Sequence, residues 1–291
     1  MLRILIIGCG DVGLRAAGML RGKARLFGLL RSPERAARLR EAGVIPIAGD
    51  LDDRRGLRRL AGLADLVLHF APPPADGERD PRTRNLLAAL SRGSLPRALV
   101  YVSTSGVYGD CAGDAVVESR PVHPDSSRAK RRHDAERYLR GWAGAWGVRL
   151  SILRAPGIYS DQRMPAERVR KGLPALLPAE DIHTNHIHAE DLAGLAVTAL
   201  FRGRDNRLYN AVDDSGLKMG DWFDLVADHL ALPRPPRLPK AAVLAAVTPA
   251  MRTFLSESRR LSNRRIKTEL RYRLRYPTVH AGLTEAERGV T

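Results

Sequence analysis

Short apolar runs alternate with amphipathic segments through the first half of the chain. The apolar runs have the length of buried strands: Arg3–Ile7, Arg25–Leu30, Val44–Ala48, Leu66–Phe70, Ala98–Val102 and Arg149–Leu153. Between them, three segments repeat their apolar residues with the helical period of about 3.6: Val12–Leu20, Pro33–Glu41 and Arg54–Leu63. Strands separated by helices predict right-handed crossovers and a parallel sheet with both faces covered.

The second half is less regular, and residues 156–184 are rich in proline, glycine and charge. Three helices are predicted beyond them: Asp191–Phe201, capped by the Asp191 carboxylate, Met219–Leu230, and the basic segment Leu261–Leu270. Too few strands remain for a second doubly wound unit. We therefore predict an α/β chain: a Rossmann-type doubly wound parallel sheet over residues 1–155, and a smaller C-terminal substrate-domain lid over residues 156–291 that packs partly on the sheet.

Composition and charge narrow the class of protein. The chain has 291 residues, of which 44% are hydrophobic, so it can build its own core and is not a disordered chain. Its 48 Lys and Arg exceed its 32 Asp and Glu, and the resulting charge of +16 favours contact with acidic surfaces. The basic residues are scattered and only 5% of residues are aromatic, so we do not expect a nucleic-acid partner.

The cysteines and the N-terminal run bear on location. Cys9 and Cys111 lie far apart without metal-ligand spacing, which favours a reducing compartment. The apolar start Met1–Ile7 is too short for a signal core and leads into a glycine turn and a helix-like segment. No run approaches the roughly 18 apolar residues of a membrane span. We therefore expect a cytoplasmic protein with no membrane partner.

A glycine motif follows the first predicted strand. Gly8-Cys9-Gly10-Asp11-Val12-Gly13 is a G-x-G-x-x-G that opens a helix, the setting of a dinucleotide-binding turn. Gly8 permits the tight turn, Gly10 lets the backbone approach a pyrophosphate, and Gly13 lets the helix sit close to the strand. The first backbone N–H groups of the helix, at Asp11 and Val12, would face the anion.

The ends of the next strands predict which dinucleotide is bound. Arg31 and Ser32 follow the second strand, where an NAD site usually presents an acid to the ribose hydroxyls; a guanidinium there suits a 2′-phosphate. We therefore expect NADP rather than NAD, although Arg31 is also explained as one more surface arginine. Asp50 and Leu51 would border the adenine, with Asp50 alternatively capping the following helix, and Ala71 would flank the cofactor.

Further segments follow the glycine motif in a characteristic order: Gly49-Asp50-Leu51, Val100–Gly109, Leu153–Tyr159, Asn185–Ala193, Tyr209–Asp214 and Leu261–Arg265. In this order and spacing the chain resembles the extended short-chain dehydrogenase/reductases, the NAD-dependent epimerase/dehydratase group. The resemblance runs nearly end to end. It implies a Rossmann fold, a small-molecule substrate such as a sugar nucleotide or a small carbonyl compound, and a homodimer.

The resemblance also implies a catalytic Ser/Thr, Tyr and Lys. In this group the lysine lowers the pKa of the tyrosine, and the phenolate passes a proton as hydride moves. Thr104, four residues before Tyr108, stands at the Ser/Thr position, where its hydroxyl would bond a substrate carbonyl.

The Tyr-x-x-x-Lys pair expected in the next helix has no match. Aligning on Glu136-Arg137-Tyr138-Leu139 places Arg128 at the tyrosine position and Arg132 at the lysine position. Sliding the register to Lys130 puts Ser126 in place of the phenol. Arginine stays protonated and cannot be a general base, but Arg132 would keep the binding role of the lysine at the nicotinamide ribose. This pattern resembles an atypical subgroup that keeps the dinucleotide loop and loses the catalytic residues.

Other groups would have to supply the missing acid. Tyr108 and Tyr159 are placed by the resemblance near the substrate, and His183, His186 and His188 are candidates because histidine is the residue type that ordinarily titrates near neutrality. Each also has a structural explanation, such as anchoring a loop or packing below a helix. No acid or cysteine ligand joins the histidines, so no metal is expected.

Three functions are compatible with these observations. The first is an NADP(H)-binding oxidoreductase, with Thr104 orienting a carbonyl and Tyr108 or Tyr159 as the acid. The second is a non-catalytic NADP(H)-binding redox sensor, which the loss of the phenol favours. The third is nucleic-acid binding through the arginine surplus, which would show a steep salt dependence.

Overall fold

The computed structural model describes the backbone of residues 1–288 and the side chains of residues 1–248, 251–252 and 254–284. These residues form thirteen strands: β1 (Arg3–Ile7), β2 (Arg25–Leu30), β3 (Val44–Ala48), β4 (Leu66–His69), β5 (Ala98–Thr104), β6 (Ala115–Val116), β7 (Arg149–Ala155), β8 (Gly157–Tyr159), β9 (Ala175–Leu176), β10 (His186–His188), β11 (Arg207–Asn210), β12 (Arg237–Leu238) and β13 (Arg260–Leu261). Seven of them build one parallel sheet in the order β11-β7-β5-β4-β1-β2-β3. The other six form parallel pairs, β8 with β10, β9 with β12 and β6 with β13.

Eleven α-helices connect or cover these strands in the described part of the chain: α1 (Asp11–Leu20), α2 (Ala36–Glu41), α3 (Pro81–Leu90), α4 (Ser127–Trp146), α5 (Ala166–Arg170), α6 (Ala189–Arg202), α7 (Met219–His229), α8 (Lys240–Ala246), α9 (Pro249–Leu255), α10 (Arg264–Thr268) and α11 (Val279–Arg288). Short 3₁₀ helices lie at Pro33–Arg35, Gly56–Leu60 and Ser105–Tyr108.

The central sheet is buried on both faces because its strands are apolar at consecutive positions. Ile4 and Ile6 of β1 point to the side covered by α1 and α6, whereas Leu5 and Ile7 point to the side covered by α3 and α4. All four side chains are fully buried. Burial of each contributes about 1.5–3 kcal/mol to the stability of the fold.

The predicted doubly wound sheet is confirmed. The first three strands begin and end where the apolar runs do, and β5 and β7 continue two residues further. The segment predicted as a helix over Arg54–Leu63 contains only the 3₁₀ helix Gly56–Leu60. The Asp53 carboxylate explains this difference, since it accepts bonds from the backbone N–H groups of Arg55 and Gly56 and holds the chain in a turn.

Two elements of the second half complete the sheet. β11 pairs with β7 at one edge, and α6 packs against α1 over the sheet. In the smaller C-terminal part, α5 packs against α7, and both α7 and α8 pack against β9. The division into residues 1–155 and 156–291 stays a prediction, and residues 289–291 lie outside the described residues.

The prediction that the Asp191 carboxylate caps this helix was wrong. α6 begins at Ala189, and its N-cap is His188, whose Nδ1 accepts from the backbone N–H of Glu190 at 3.2 Å. Asp191 is fully buried and instead accepts from the Tyr272 hydroxyl at 3.0 Å and from the backbone N–H groups of Arg275 and Tyr276. Its carboxylate therefore fastens the C-terminal segment to α6.

The basic helix predicted over Leu261–Leu270 is present but shorter than expected. The segment consists of the end of β13 followed by the short helix α10. Arginines in and beside this segment bind to backbone carbonyls elsewhere in the chain. Arg259, just before it, is 9% exposed and donates to the carbonyl of Gly109 at 2.5 Å, and Arg265 donates to the carbonyl of Leu208 at 2.9 Å.

Candidate functional site

The strand order reverses beside β1, which has β2 on one side and β4 on the other. In open parallel sheets the crevice at such a switch point, outside the carboxyl ends of the strands, is where ligands bind. The glycine turn between β1 and α1 occupies this position.

Two glycines of the turn are required by close backbone contacts. Gly8 has φ +91°, and a Cβ on it would lie 2.5 Å from the backbone nitrogen of Ala71. A Cβ on Gly13 would lie 2.4 Å from the carbonyl oxygen of Gly8. Neither position can carry a side chain without moving the backbone, so α1 is held directly against the end of β1.

Gly10 differs from the other two. A Cβ there would have no atom within 4 Å, so the side of the turn next to Gly10 is open space. Gly10 is also the N-cap of α1, and no side chain caps this helix within the described residues. The first N–H groups of α1, at Asp11 and Val12, are therefore left for an anion, which the helix dipole also favours.

A groove of about 380 Å³ opens in front of this turn. We call it the glycine groove; seven of the residues predicted from the sequence line it: Gly8, Gly10, Arg31, Ser32, Asp50, Leu51 and Ala71. Asp11, Val12 and Gly13 do not line the groove; they belong to the first turn of α1. The open corner at Gly10 and the uncapped helix fit the pyrophosphate of a dinucleotide, and the groove extends from there past the ends of β2 and β3.

The far end of the glycine groove is basic. Arg31 and Arg35 are exposed there, and Ser32 lies between them as the N-cap of the 3₁₀ helix Pro33–Arg35. Arg31, Ser32 and Arg35 all line the groove, so two guanidinium groups and one hydroxyl lie along it after the end of β2. Arg35 was missed by the sequence analysis, although a turn signalled by Pro33 could have indicated it.

Asp50 has a local partner. Its Oδ1 accepts from the backbone N–H of Asp52 at 3.0 Å and shapes the turn after β3. Asp50 therefore stabilises a turn and does not cap a helix. The start of the following 3₁₀ helix is held by Asp53 instead.

Arg82 is a second residue that the sequence analysis missed. It lies in the first turn of α3, lines the glycine groove and forms an ion pair with Asp52 at 2.6 Å. It also donates to the carbonyls of Pro72 and Pro73 at 3.3 and 3.4 Å. No local pattern marks it, because its partners are 30 residues earlier and on a separate loop.

Thr104 ends β5, which is separated from β1 by β4 in the sheet. Its side chain is 8% exposed, and Oγ1 accepts from the backbone N–H of Gly106 at 3.2 Å. Arg128, in the first turn of α4, places Nη2 3.5 Å from the same oxygen. The alignment that sets Arg128 at the tyrosine position stays a prediction.

Arg132 lies one turn further along α4 and is bound to β5. It donates to the Tyr101 hydroxyl at 3.0 Å and to the carbonyl of Val102 at 2.8 Å. Tyr101 is fully buried against the ring of His69, and burial raises its pKa to about 12. The guanidinium of Arg132 therefore supports the strand that carries Thr104.

Tyr108 and Tyr159 are both 1% exposed. The Tyr108 hydroxyl donates to Oδ1 of Asn210 at 2.8 Å, and its ring lies under the Arg154 guanidinium at 4.7 Å. The Tyr159 hydroxyl donates to the carbonyl of Thr278 at 3.2 Å. Burial raises the pKa of both phenols. These contacts correspond to loop anchors, and a role for either residue as the acid stays a prediction.

The histidines serve the structure around them. His186 is 3% exposed and packs on Trp222 with ring centroids 4.7 Å apart, and burial lowers its pKa to about 3. His188 caps α6, and the backbone N–H of His183 donates to Oγ of Ser258. The described residues contain no group of three His, Cys, Asp or Glu side chains arranged for a metal ion. They also include no helix of the length and hydropathy that a membrane crossing needs.

Comparisons with known proteins agree with this geometry. The sequence model of the "NAD dependent epimerase/dehydratase family" matches residues 4–211. A dTDP-glucose 4,6-dehydratase of Mycobacterium tuberculosis is 26% identical over 197 residues, 63% of this chain and 50% of that protein. The chain thus spans about half the length of the curated relatives that it first matches.

Solved structures are similar over the whole chain. A functionally unknown conserved protein from Silicibacter pomeroyi is 27% identical, with a TM-score of 0.84 and coverage of 100% of this chain and 99% of that one. A dTDP-glucose 4,6-dehydratase from Streptomyces venezuelae, crystallised with NAD bound, has a TM-score of 0.77 at 20% identity and covers 99% and 96%. At 20% identity, the similarity to the Streptomyces venezuelae protein shows a shared fold and no more.

Proposed function

Since the chain belongs to the NAD dependent epimerase/dehydratase family, we propose that it binds a nicotinamide dinucleotide in the glycine groove and oxidises or reduces a small carbonyl compound or sugar nucleotide. The observation that carries this proposal is the open corner at Gly10, in front of the uncapped amino end of α1. Gly8, Gly10 and the first N–H groups of α1 would hold the pyrophosphate.

NADP is the proposed dinucleotide. Arg31, Ser32 and Arg35 supply donors and positive charge where the adenosine ribose would lie, and the residue directly after β2 is Arg31 rather than an acid. Guanidinium groups bind a phosphate through charge-assisted bonds, whereas an NAD site needs an acceptor for the ribose hydroxyls.

A bound nicotinamide supplies or accepts the hydride in this chemistry. Thr104 would donate a hydrogen bond from its hydroxyl to the substrate oxygen and so hold the reacting carbon at the end of β5. A water molecule would supply the proton that this oxygen takes up when the carbonyl is reduced. Arg128, beside Thr104, would stabilise negative charge that develops on that oxygen without taking its proton. Arg132 acts indirectly by holding β5 through Tyr101 and Val102.

A non-catalytic NADP(H) sensor is the second candidate. Two observations favour it: the first turns of α4 carry arginines and no tyrosine, and the Tyr108 hydroxyl is bound to Asn210. A sensor would use the same groove but would have no group that exchanges a proton with a substrate.

Turnover separates the two candidates. The purified protein is mixed with NADPH and a panel of aldehydes, ketones and keto-sugar nucleotides, and the loss of NADPH absorbance is followed. An enzyme consumes NADPH with at least one class of substrate, and Thr104→Ala abolishes consumption while NADPH affinity is kept. Serine in its place (Thr104→Ser) is the matched control and retains activity. Tight NADPH binding without consumption across the panel supports the sensor.

A further inference from the structure

Positive charge is concentrated at the carboxyl end of β5. Arg128 shares its electrostatic environment with Arg131, Arg132 and Arg259, and with one acid, Glu257. Burial, and then the charge of Arg132, lowers the pKa of Arg128. An anion bound at this point would therefore be attracted by the arginines and would also reduce the repulsion between them.

Most of these charges already have partners inside the protein. Arg131 donates to the carbonyl of Gly77 at 2.5 Å, and Arg132 is bound to β5. Arg259 forms an ion pair with Glu257 at 2.8 Å, so the nearby acid is taken. Of these four arginines, Arg128 is the one for which the described residues provide neither a carbonyl nor a carboxylate partner.

Arg128 keeps part of its surface exposed, and its side-chain neighbours are only weak hydrogen-bond or stacking partners. Its Nη2 lies 3.5 Å from Oγ1 of Thr104, at the limit of a hydrogen bond, and its guanidinium stacks 5.0 Å from the ring of Phe254. Among the side chains that the structure describes, it has no carboxylate in an ion pair. The guanidinium lies over the ring of Phe254, and within the described residues its N–H groups make only the long bond to Thr104, so they are available for a planar anion.

Building on the proposed function, we propose that Arg128 binds a carboxylate attached directly to the reacting carbon, so that the substrates are 2-oxo or 2-hydroxy acids or sugar acids of the same pattern. In such a compound the carbonyl oxygen and a carboxylate oxygen are separated by one carbon–carbon bond. Two donors 3.5 Å apart, Thr104 Oγ1 and Arg128 Nη2, match this pair of acceptors.

The alternative is a sugar nucleotide with a neutral reacting centre. Its diphosphate lies several bonds from the sugar carbon that reacts, so it would not reach Arg128 while that carbon is at Thr104. A neutral sugar would also leave the guanidinium of Arg128 without an anion in a basic, partly desolvated site. The position of Arg128 therefore favours the acidic substrate.

The test uses two small planar probes of nearly equal size. Oxamate carries a carboxylate next to a carbonyl, and oxamide replaces that carboxylate with a neutral amide. Each is titrated calorimetrically into the wild type with and without saturating NADP⁺, into Arg128→Leu and Arg128→Lys, and into Arg137→Leu. Arg137 is an exposed arginine of the same helix, so this last variant is the matched control for loss of charge.

We expect oxamate to bind the wild type and Arg137→Leu at least about tenfold more tightly than oxamide, because only oxamate accepts a charge-assisted pair of bonds. Arg128→Leu should bind both probes equally weakly, and Arg128→Lys should recover part of the preference, since lysine keeps the charge but not the fork. Equal affinities in the wild type, absence of binding for both probes, or a preference that survives in Arg128→Leu would overturn the inference.

The failure of the proposed function would look different. NADP⁺, NADPH, NAD⁺ and NADH are titrated alone in a separate experiment. If none binds while oxamate still binds through Arg128, the dinucleotide proposal is wrong and the carboxylate site stands. If a dinucleotide binds and oxamate shows no preference, the proposed function stands and the carboxylate site is wrong.

Discussion

The side chains of Arg82 and Asp52 meet in a two-point ion pair, with Nε–Oδ1 and Nη2–Oδ2 distances of 2.8 and 2.6 Å. Arg82 belongs to α3, whereas Asp52 follows β3. The same guanidinium donates to Pro72 and Pro73 after β4, so one side chain ties three segments together at the mouth of the glycine groove. Hydrogen bonding to Arg82 lowers the pKa of Asp52.

Loss of Arg82 should weaken dinucleotide binding. In Arg82→Leu the Asp52 carboxylate would lose its main cation and compete for Arg31, whose charge already acts on it. We expect NADPH affinity to fall about three- to tenfold, which is the size of a partly exposed charge effect, and to fall more at low salt. Fluorescence titration at two salt concentrations measures this.

The control is the double variant Asp52→Asn/Arg82→Leu, in which the competing carboxylate is also gone. It should recover most of the affinity. If the double variant binds as weakly as the single one, Arg82 acts by holding Pro72 and Pro73 and the electrostatic explanation is wrong.

Replacing Arg31 should change the choice of dinucleotide. Arg31→Asp removes one donor to a 2′-phosphate and adds an acceptor for ribose hydroxyls, so we expect NADPH affinity to drop about ten- to a hundredfold and NADH affinity to rise. Arg38→Asp, which makes the same charge change at an exposed position on α2, is the control and should keep the NADPH preference. Equal affinity for NADPH and NADH in the wild type and in Arg31→Asp would refute the role of Arg31.

Asp213 should give the fold a measurable pH dependence. It is 5% exposed, its Oδ2 has no hydrogen-bond partner among the described residues, and burial raises its pKa from 3.8 to about 7. Between these two values the folded protein holds a proton that the unfolded chain has lost. The free energy of unfolding should therefore decrease as pH rises through this window, by on the order of a few kcal/mol.

The variant Asp213→Asn mimics the protonated carboxyl and should lose this part of the pH dependence. His69 and His186 act in the opposite direction, because burial lowers the pKa of each to about 3 and the free energy of unfolding therefore increases as pH rises toward 6.5. Both proteins contain these histidines, so the quantity to compare is the difference in unfolding free energy between the wild type and Asp213→Asn. Denaturant unfolding at pH 5 and at about pH 8 should show the wild type losing stability relative to Asp213→Asn. Asp205→Asn, at an exposed aspartate, should show no such difference from the wild type.

Two glycines of α1 should respond oppositely to alanine. A Cβ on Gly13 would lie 2.4 Å from the Gly8 carbonyl, so Gly13→Ala must push α1 away from the turn and should cost about 1–3 kcal/mol and most of the nucleotide affinity. Gly18 has no atom within 4 Å of its Cβ position, so Gly18→Ala should gain about 0.5–1 kcal/mol from helix propensity. Denaturation midpoints check both, and a Gly13→Ala protein as stable as the wild type would contradict the close contact.

Local constraints explain what could be predicted from the sequence. The alternation of apolar runs located the central strands, and the glycine spacing located the turn, since both signals are contained in neighbouring residues. Asp191 shows where local rules fail. Its type and position suited a helix cap, but burial among the hydroxyl of Tyr272 and the N–H groups of Arg275 and Tyr276 gave it another role.

Long-range pairing explains what was missed. The role of Arg82 depends on its ion pair with Asp52, which is 30 residues away in the sequence. No local sequence pattern distinguishes an arginine with such a partner from the many others in the chain. The approach of Arg128 to Thr104 likewise depends on how α4 docks on β5. The alignment suggested which residue stands at the tyrosine position, but only the fold shows its distance from the threonine hydroxyl.

The most direct measurement is the calorimetric affinity of NADPH and NADH for the wild type and for Gly10→Val. Gly10 has φ −84°, which any residue can adopt, and open space at its Cβ, so the variant should fold as the wild type does while its side chain fills the corner for the pyrophosphate. We predict saturable binding to the wild type and at least about a tenfold loss in Gly10→Val. Absence of heat with the oxidised and reduced forms of both nucleotides, or equal affinity in the two proteins, would contradict dinucleotide binding at this turn.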